Sequence, residues 1–486
     1  MDHPLDMIHK RSARYTTLAA LAVTCRTFRE PALVLRWRLV QNVKSFISLF
    51  PCDVWVEFDE DLDFARLPSK EEWIRFESYT SRIREIHIVS MSFKGMLKVM
   101  ATLSMKYNAN PSHHLFPNLQ TLAWESDSDT EVPFAHLFFP PSLRCLTVDF
   151  DGFDDFRAPG LLLLLENQCP ILKQFTIRGL SCRPSILAAL RLLETRAFQQ
   201  LEYLHCNGMD ETALRYIAKL ATLKDLSVYL PDLISADAVS NGGFVNLQTL
   251  CLTVDEEKIS AIIPFLPSTR HSLKSLEITM SGNELQPPLS MPLQQLFSRL
   301  SAGLCHTCLT QFHILDVTSR ELDIAALRPL FSFSKLKYVR IDGLCSFDFS
   351  DESLAELADA WPHLEELVLN HRGGRRTSEI TFKGLKSLIR ACPLLQILAL
   401  AIDATQLNVV SSNTPEEDIH NDKIEELDLK NSIIENPTAV ALILGELFWS
   451  LKRVDVYHRR KLYGRLWSEV NSHLLTRQAN KQEIGL

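Results

Sequence analysis

The sequence predicts an α/β solenoid, with parallel strands on a concave face and helices on a convex face. Three observations predict it. A hexad of the form L-x-x-L-x-L, with Ile, Val, Phe, Trp or Cys as variants, recurs fourteen times. Its first positions lie mostly 22 to 31 residues apart, with two gaps of 36. Between many hexads the apolar residues fall three or four apart, as an amphipathic helix requires. A strand this short cannot bury its own apolar face, so each copy needs a neighbour on either side.

The clearest copy is Trp361-Pro-His-Leu-Glu-Glu-Leu-Val-Leu-Asn370. Leu367 and Leu369 alternate along a strand, and Leu364 anchors its entry. The first positions of the other copies are Ile83, Leu119, Leu143, Leu172, Leu201, Leu223, Leu247, Leu273, Leu309, Leu336, Leu395, Ile424 and Leu451. The period is close to that of leucine-rich repeats, about 20–29 residues. Helices are expected over 159–167, 183–197, 211–219, 353–360 and 381–391. The repeats are irregular, since the asparagine that standard repeats carry three residues after the last leucine is missing.

Length alone suggests about three domains, but a solenoid grows without a new core. Net charge is −8 and the pI is near 6.0, so bulk charge gives no nucleic-acid footprint. The eleven cysteines form no framework. Cys145, Cys206 and Cys251 fall in or beside strands, and Cys169 and Cys392 precede prolines. This usage predicts reduced thiols and a cytoplasmic or nuclear location. Residues 1–10 carry no apolar signal core, and no run reaches the roughly 18 apolar residues of a membrane span. Neither nucleic acid nor membrane is an expected partner.

Before the repeats, Leu18, Leu21, Ala22, Cys25 and Phe28 share one helical face. Pro31 is expected to end that helix and open a second, giving two short helices with a tight corner, which could cap the open solenoid end. Val40–Phe50 is expected to be helical, the acidic run 57–63 a solvated loop, and Glu71–Ser81 a helix. After the repeats, Leu462–Leu475 should form a capping helix followed by a tail. Polar loops are expected over 283–289 and 409–422.

The residues Val23, Cys25, Arg26, Phe28, Glu30, Pro31, Ala32, Leu33 and Trp37 resemble the C-terminal part of an F-box. The segment Trp73-Ile-Arg-Phe…Tyr79-Thr-Ser-Arg-Ile-Arg84 extends the likeness to the large F-box families of fungi. Two features depart from the pattern. The family's opening Leu-Pro-x-Glu-Ile helix has only Pro4-Leu5-Asp6-Met7-Ile8 as its counterpart, and Arg36 stands where an apolar residue is usual. The resemblance implies an F-box-like module over 15–40 after a polar segment 1–14. A helical linker or cap over 41–81 and a leucine-rich-repeat solenoid over 82–457 follow, with a cap helix and tail over 458–486. It further implies a substrate-recognition subunit of a cullin–RING ubiquitin ligase. Leu18, Leu21, Val23, Phe28, Pro31, Leu33 and Trp37 would form the helices that dock a Skp-type adaptor, and the repeats would hold a target protein. The alternative is a non-catalytic repeat scaffold whose degenerate F-box only caps the solenoid.

No catalytic set is legible, and no cofactor or metal is expected. Cys305-His-Thr-Cys308 lacks the second ligand pair of a zinc site and is expected to be two ordinary thiols. His113-His114 fits a solvated pair better than a metal site. Glu125–Glu131 lacks the glycine and terminal glutamate of a calcium loop, and 373–376 has no phosphate-loop pattern. What remains is the outward alternation of each strand, for example Glu277/Thr279, Gln311/His313, Glu366/Asn370 and Glu426/Asp428/Lys430. Tyrosine and arginine are common interface anchors. The expected target-binding residues are therefore Tyr203, His205, Tyr229, Tyr338, Arg340 and Asp342.

Overall fold

The computed structural model describes residues 15–41, 44–58, 61–88, 97–108, 113–125, 129–149, 157–178, 198–209, 211–230, 243–255, 259–260, 262, 273–281, 293–317, 321–343, 346–369, 378–407, 419–456 and 461–484. The segment 1–14, the loop 283–289, most of the loop 409–422, the stretch 373–376 and the helix expected over 183–197 lie outside them. The chain divides into two compact units, Met1–Leu223 and Lys224–Leu486, a division the sequence reading did not make.

Among the described residues, six strands of the first unit pair in chain order, every pair parallel. They are β1 (Leu39–Val40), β2 (Glu85–Ile88), β3 (Thr121–Glu125), β4 (Cys145–Asp149), β5 (Gln174–Arg178) and β6 (Tyr203–Cys206). In the second unit nine more strands do the same. These are β7 (Asp225–Tyr229), β8 (Thr249–Asp255), β9 (Ser275–Ser281), β10 (Gln311–Val317), β11 (Tyr338–Gly343), β12 (Glu366–Leu369), β13 (Ile397–Ala399), β14 (Glu426–Asp428) and β15 (Arg453–Asp455). Every hexad therefore carries a strand, and each unit has the leucine-rich-repeat build. Register aligns the hexads: Leu122 faces Leu146, and Leu367 faces Leu398. These leucines are buried, and the residues between them are mostly half-buried.

Ladder and turn share one design in both units. The carbonyl just after the first hexad residue takes two N–H donors from the next repeat, as Lys337 takes Glu365 and Glu366 at 2.8 and 2.9 Å. Three residues before the hexad sits a buried plug: Phe116, Cys169, Phe198, Leu220, Phe244, Phe333, Trp361, Cys392, Asn421 or Phe448. At most of these sites the plug carbonyl accepts the N–H of the first hexad residue and closes a turn, as in Phe116 to Leu119 at 3.1 Å. Several plugs also bond the preceding repeat. Trp361 Nε1 donates to Leu330 O at 3.3 Å, and Asn421 Nδ2 to Leu395 O at 2.8 Å. These bonds stand in for the missing asparagine ladder.

The connecting helices run over Arg157–Gln168, Glu211–Ile217, Asp351–Ala360 and Phe382–Ala391, close to the expected spans. Asp351 bonds the next repeat through Thr381 N, Thr381 Oγ1 and Gly384 N at 2.7, 2.7 and 3.0 Å. A Cβ at Gly384 would stand 2.4 Å from the Asp351 carboxylate, so this close approach requires glycine.

The structure corrects several expectations. The helical corner falls at Cys25, not Pro31. Residues 15–24 are helical, Cys25 is extended (φ −154°), and Pro31 lies inside the helix Arg26–Trp37. The N–H that proline lacks would have bonded one carbonyl in an exposed turn, where water can take it. Val40–Phe50 is not one helix. Leu39–Val40 opens the sheet, because Arg38 O accepts Arg84 N and Glu85 N, both at 2.9 Å, and only Lys44–Ile47 is helical. The acidic run forms part of an antiparallel hairpin, Trp55–Phe58 with Asp61–Phe64, in which Lys44 pairs with Glu57 at 2.6 Å. The C-terminal helix is longer than expected, Lys461–Ile484.

Candidate protein-docking surfaces

The helices 15–24 and Arg26–Trp37 have two sides. Leu18 and Ala32 are buried, while Leu33 and Trp37 are half-buried. Trp37 meets Tyr79 edge-on, with centroids 5.6 Å apart, and Glu30 pairs with Arg82 at 2.8 Å. That guanidinium holds the Glu30 carboxyl below the usual range. The unexpected Arg36 lies over the rings of Tyr15 and Trp37, at 4.5 and 5.1 Å, and joins the packing by cation–π contact. Other apolar residues of the two helices are open to solvent. Val23 is 85% exposed and Phe28 56%, with Leu21, Val34 and Leu35 exposed beside them in sequence; Pro31 is exposed too. The structure thus separates the expected adaptor residues. Leu18 packs inward, Leu33 and Trp37 sit between, and Leu21, Val23, Phe28 and Pro31 face solvent. Val34 and Leu35 extend the exposed set; sequence reading passed over them because they fall in the unmatched gap between Leu33 and Trp37.

Tyr203 and His205 stand half-buried on β6 of the first unit. Burial pushes His205 below its ordinary value, opposed by a hydrogen bond to Asn207 and reinforced by Arg178.

The other expected target residues belong to the second unit, where register sets their neighbours. Glu277, His313 and Arg340 are consecutive cross-strand partners on β9, β10 and β11. His313 Nδ1 lies 3.5 Å from Glu277, whose carboxyl it holds down. Arg340 reaches Glu366 at 2.7 Å. Tyr338 donates its hydroxyl to Glu365 at 2.7 Å, and Lys337 pairs with the other oxygen of that carboxylate at 2.7 Å. The tyrosine hydroxyl is raised and Glu365 lowered, each chiefly by those bonds. Tyr229 donates to Asp255 at 2.6 Å. Asp342 accepts the N–H of Gly343 at 2.7 Å. Further along, Lys430 pairs with Asp428 and is only 3% exposed, near enough to Asp342 and Asp455 for their carboxylates to act on it.

Chemically this is a self-neutralised strip. The charges of Glu277, Arg340, Glu366, Lys430 and Asp428 each have an opposite or hydrogen-bonding neighbour within the sheet. A partner would meet ring faces and exchangeable ion pairs. Lys430 is where sequence reading missed most, since its place in the outward alternation implied exposure. Among the described residues, no group of three His, Cys, Asp or Glu side chains is arranged to hold a metal ion, and no helix is long and apolar enough to cross a membrane.

No family model and no curated protein matches the chain. Among solved structures it is similar to the Rad7–Elc1 complex in yeast, at 15% identity and a TM-score of 0.41, covering 77% of this chain and 76% of that one. It is also similar to a plant peptide hormone receptor bound to its peptide, at 12% identity and a TM-score of 0.17, covering 80% and 77%. Both scores fall below the level at which one architecture can be read from another.

Proposed function

We propose that the chain is the substrate-recognition subunit of a cullin–RING ubiquitin ligase. The helices 15–24 and Arg26–Trp37 dock a Skp-type adaptor, and the strand faces hold a target protein. One observation carries the reading: an outward apolar set, Leu21, Val23, Phe28, Val34 and Leu35, on the segment that resembles an F-box. Single exposed apolar residues are common; five on two short adjoining helices make this segment the candidate for a partner. The chain itself catalyses nothing; it raises the effective concentration of target near the reactive thioester.

The test is a pull-down of the full chain against a Skp-type adaptor. Trp37 packs on Tyr79, so its loss would confound folding with docking. The informative variant is Val23→Asp with Phe28→Asp, both at exposed positions. It should abolish capture and leave the melting curve unchanged. Equal capture by variant and wild type, or no capture by a folded wild type, would overturn the proposal. A second reading has its own observation. The Glu30–Arg82 pair and the Trp37–Tyr79 contact tie these helices to the helix and turn that lead into the first repeat, as a cap would, and the chain would then be a repeat scaffold without ligase duty.

A further inference from the structure

Cys305 and Cys308 occupy the turn between the helix Leu293–Gly303 and strand β10. Sequence reading expected two ordinary thiols. The structure brings them together instead. The Cys308 N–H donates to Cys305 O at 3.4 Å, and a turn of this kind holds its end Cα atoms within about 7 Å. That overlaps the roughly 4.4–6.8 Å that a disulfide spans. The two thiols already hydrogen-bond each other, with Cys308 donating to the Cys305 sulfur. The Thr307 hydroxyl lies 3.3 Å from that sulfur, and the N–H groups of Thr307 and Cys308 also bond it. Both cysteines are half-buried, so a small reagent can reach them. The buried Leu304 and Leu309 pin the two ends of the turn. His306 points elsewhere, its Nε2 2.8 Å from Ser301 O and its ring against Phe333.

The pair is electronically uneven. Burial disfavours a thiolate at Cys305, yet the donors around it outweigh that cost. Their hydrogen bonds, chiefly that from Cys308, bring Cys305 down to about 7, while the same bond raises Cys308. Cys169 and Cys392 are the contrast, since burial pushes both up to about 12. Cys305 is therefore more fully thiolate at neutral pH than an ordinary cysteine, and the thiolate is the nucleophile.

We propose that Cys305 and Cys308 form a reversible dithiol–disulfide site that reacts with small disulfides of the glutathione class. The Cys305 thiolate attacks one sulfur of the disulfide, whose S–S bond breaks and releases one glutathione thiolate. Cys308 gives its proton to that thiolate and attacks the Cys305 sulfur of the mixed disulfide, releasing the second glutathione. Two protein thiols become one disulfide, and the small disulfide gains the two electrons and, once the second thiolate is protonated, two protons. Excess reduced glutathione runs the exchange backward.

The experiment equilibrates the full chain in glutathione buffers of graded redox poise, quenches with iodoacetamide and reads each cysteine by mass spectrometry. In oxidising buffer the peptide holding Cys305 and Cys308 should resist alkylation and be lighter by two hydrogens, and reduced buffer should restore two alkylated thiols. Cys308→Ser should trap glutathione on Cys305, and Cys305→Ser should leave Cys308 unmodified. In reduced protein, the alkylation rate of Cys305 should reach half its plateau near pH 7. Equal alkylation of Cys305, Cys308 and the exposed Cys25 and Cys52 at every poise would overturn the proposal. So would a Cys308→Ser variant that melts like wild type and takes up no glutathione.

Discussion

Lys430 is a lysine where few lysines stay charged. It is buried, its backbone is left-handed at φ 47°, and its ammonium pairs with Asp428. Burial lowers it to about 8, with Arg340 adding to the shift and the carboxylates of Asp342 and Asp455 opposing it. The sign follows from linkage. Between about pH 8 and the unfolded value near 10.4 the unfolded chain binds the proton and the folded chain does not, so stability rises with pH across that window. Below about pH 8 the folded state carries the full cost of the buried charge, on the order of 3 kcal/mol. Replacing a buried ion pair by an apolar side chain of similar size is often neutral or stabilising, and the Asp428 carboxylate keeps 29% of its surface exposed to water. Lys430→Met should therefore melt at the wild-type temperature or above it at pH 7, and should lose the rise between pH 8 and 10. Melting curves across that range check it. A clear drop at pH 7 would mean that the pairing with Asp428 outweighs the burial.

At the scale of the element, the plug before each strand governs how repeats join. Trp361 is fully buried, meets Phe331 edge-on at 5.4 Å and bonds Leu330 O. Cys392 fills the same place one repeat later with a small side chain, its thiol donating to Trp361 O at 3.4 Å. Trp361→Ala should cost about 3–5 kcal/mol from the cavity it leaves. Cys392→Ala should cost about 1 kcal/mol from one weak bond and little volume. Denaturant titrations of the two variants give the comparison, and equal losses would show that the plug acts through its turn rather than its bulk. This element also shows how far the sequence could be read. The hexads were legible because alternation with period two is a local signal, and register follows once they align. The plug was not, because Phe, Trp, Cys, Leu and Asn share no chemistry there, only burial. Leu39–Val40 escaped because two residues carry no periodicity. On the candidate surface the outward residues were legible, but their partners were not. Whether Arg340 meets Glu366, or Lys430 turns inward, depends on register and backbone angle.

For the molecule as a whole, a repeat array leaves its last strand with unpaired backbone groups, and such an edge invites fraying or foreign pairing. In the second unit, among the described residues, β15 pairs only with β14. The helix Lys461–Ile484 closes the far side by packing and by a strand-like bond pair. Trp467, Val470 and Leu474 are buried, and Trp467 Nε1 donates to Ser432 O at 3.0 Å. Asn471 does what a further strand would do: its Oδ1 accepts Val454 N at 2.8 Å and its Nδ2 donates to Val454 O at 2.9 Å. Gln478 adds a bond to Leu451 O at 2.8 Å. Because each repeat is held by its immediate neighbours, Asn471→Ala should act locally. It frees one N–H and one C=O at the edge, at roughly 1–3 kcal/mol. Hydrogen exchange should quicken at Val454 and along β14 and β15, while β8 and β9 keep their protection. Faster exchange across all nine strands would show instead that the second unit opens as one body, with Asn471 helping to hold all of it.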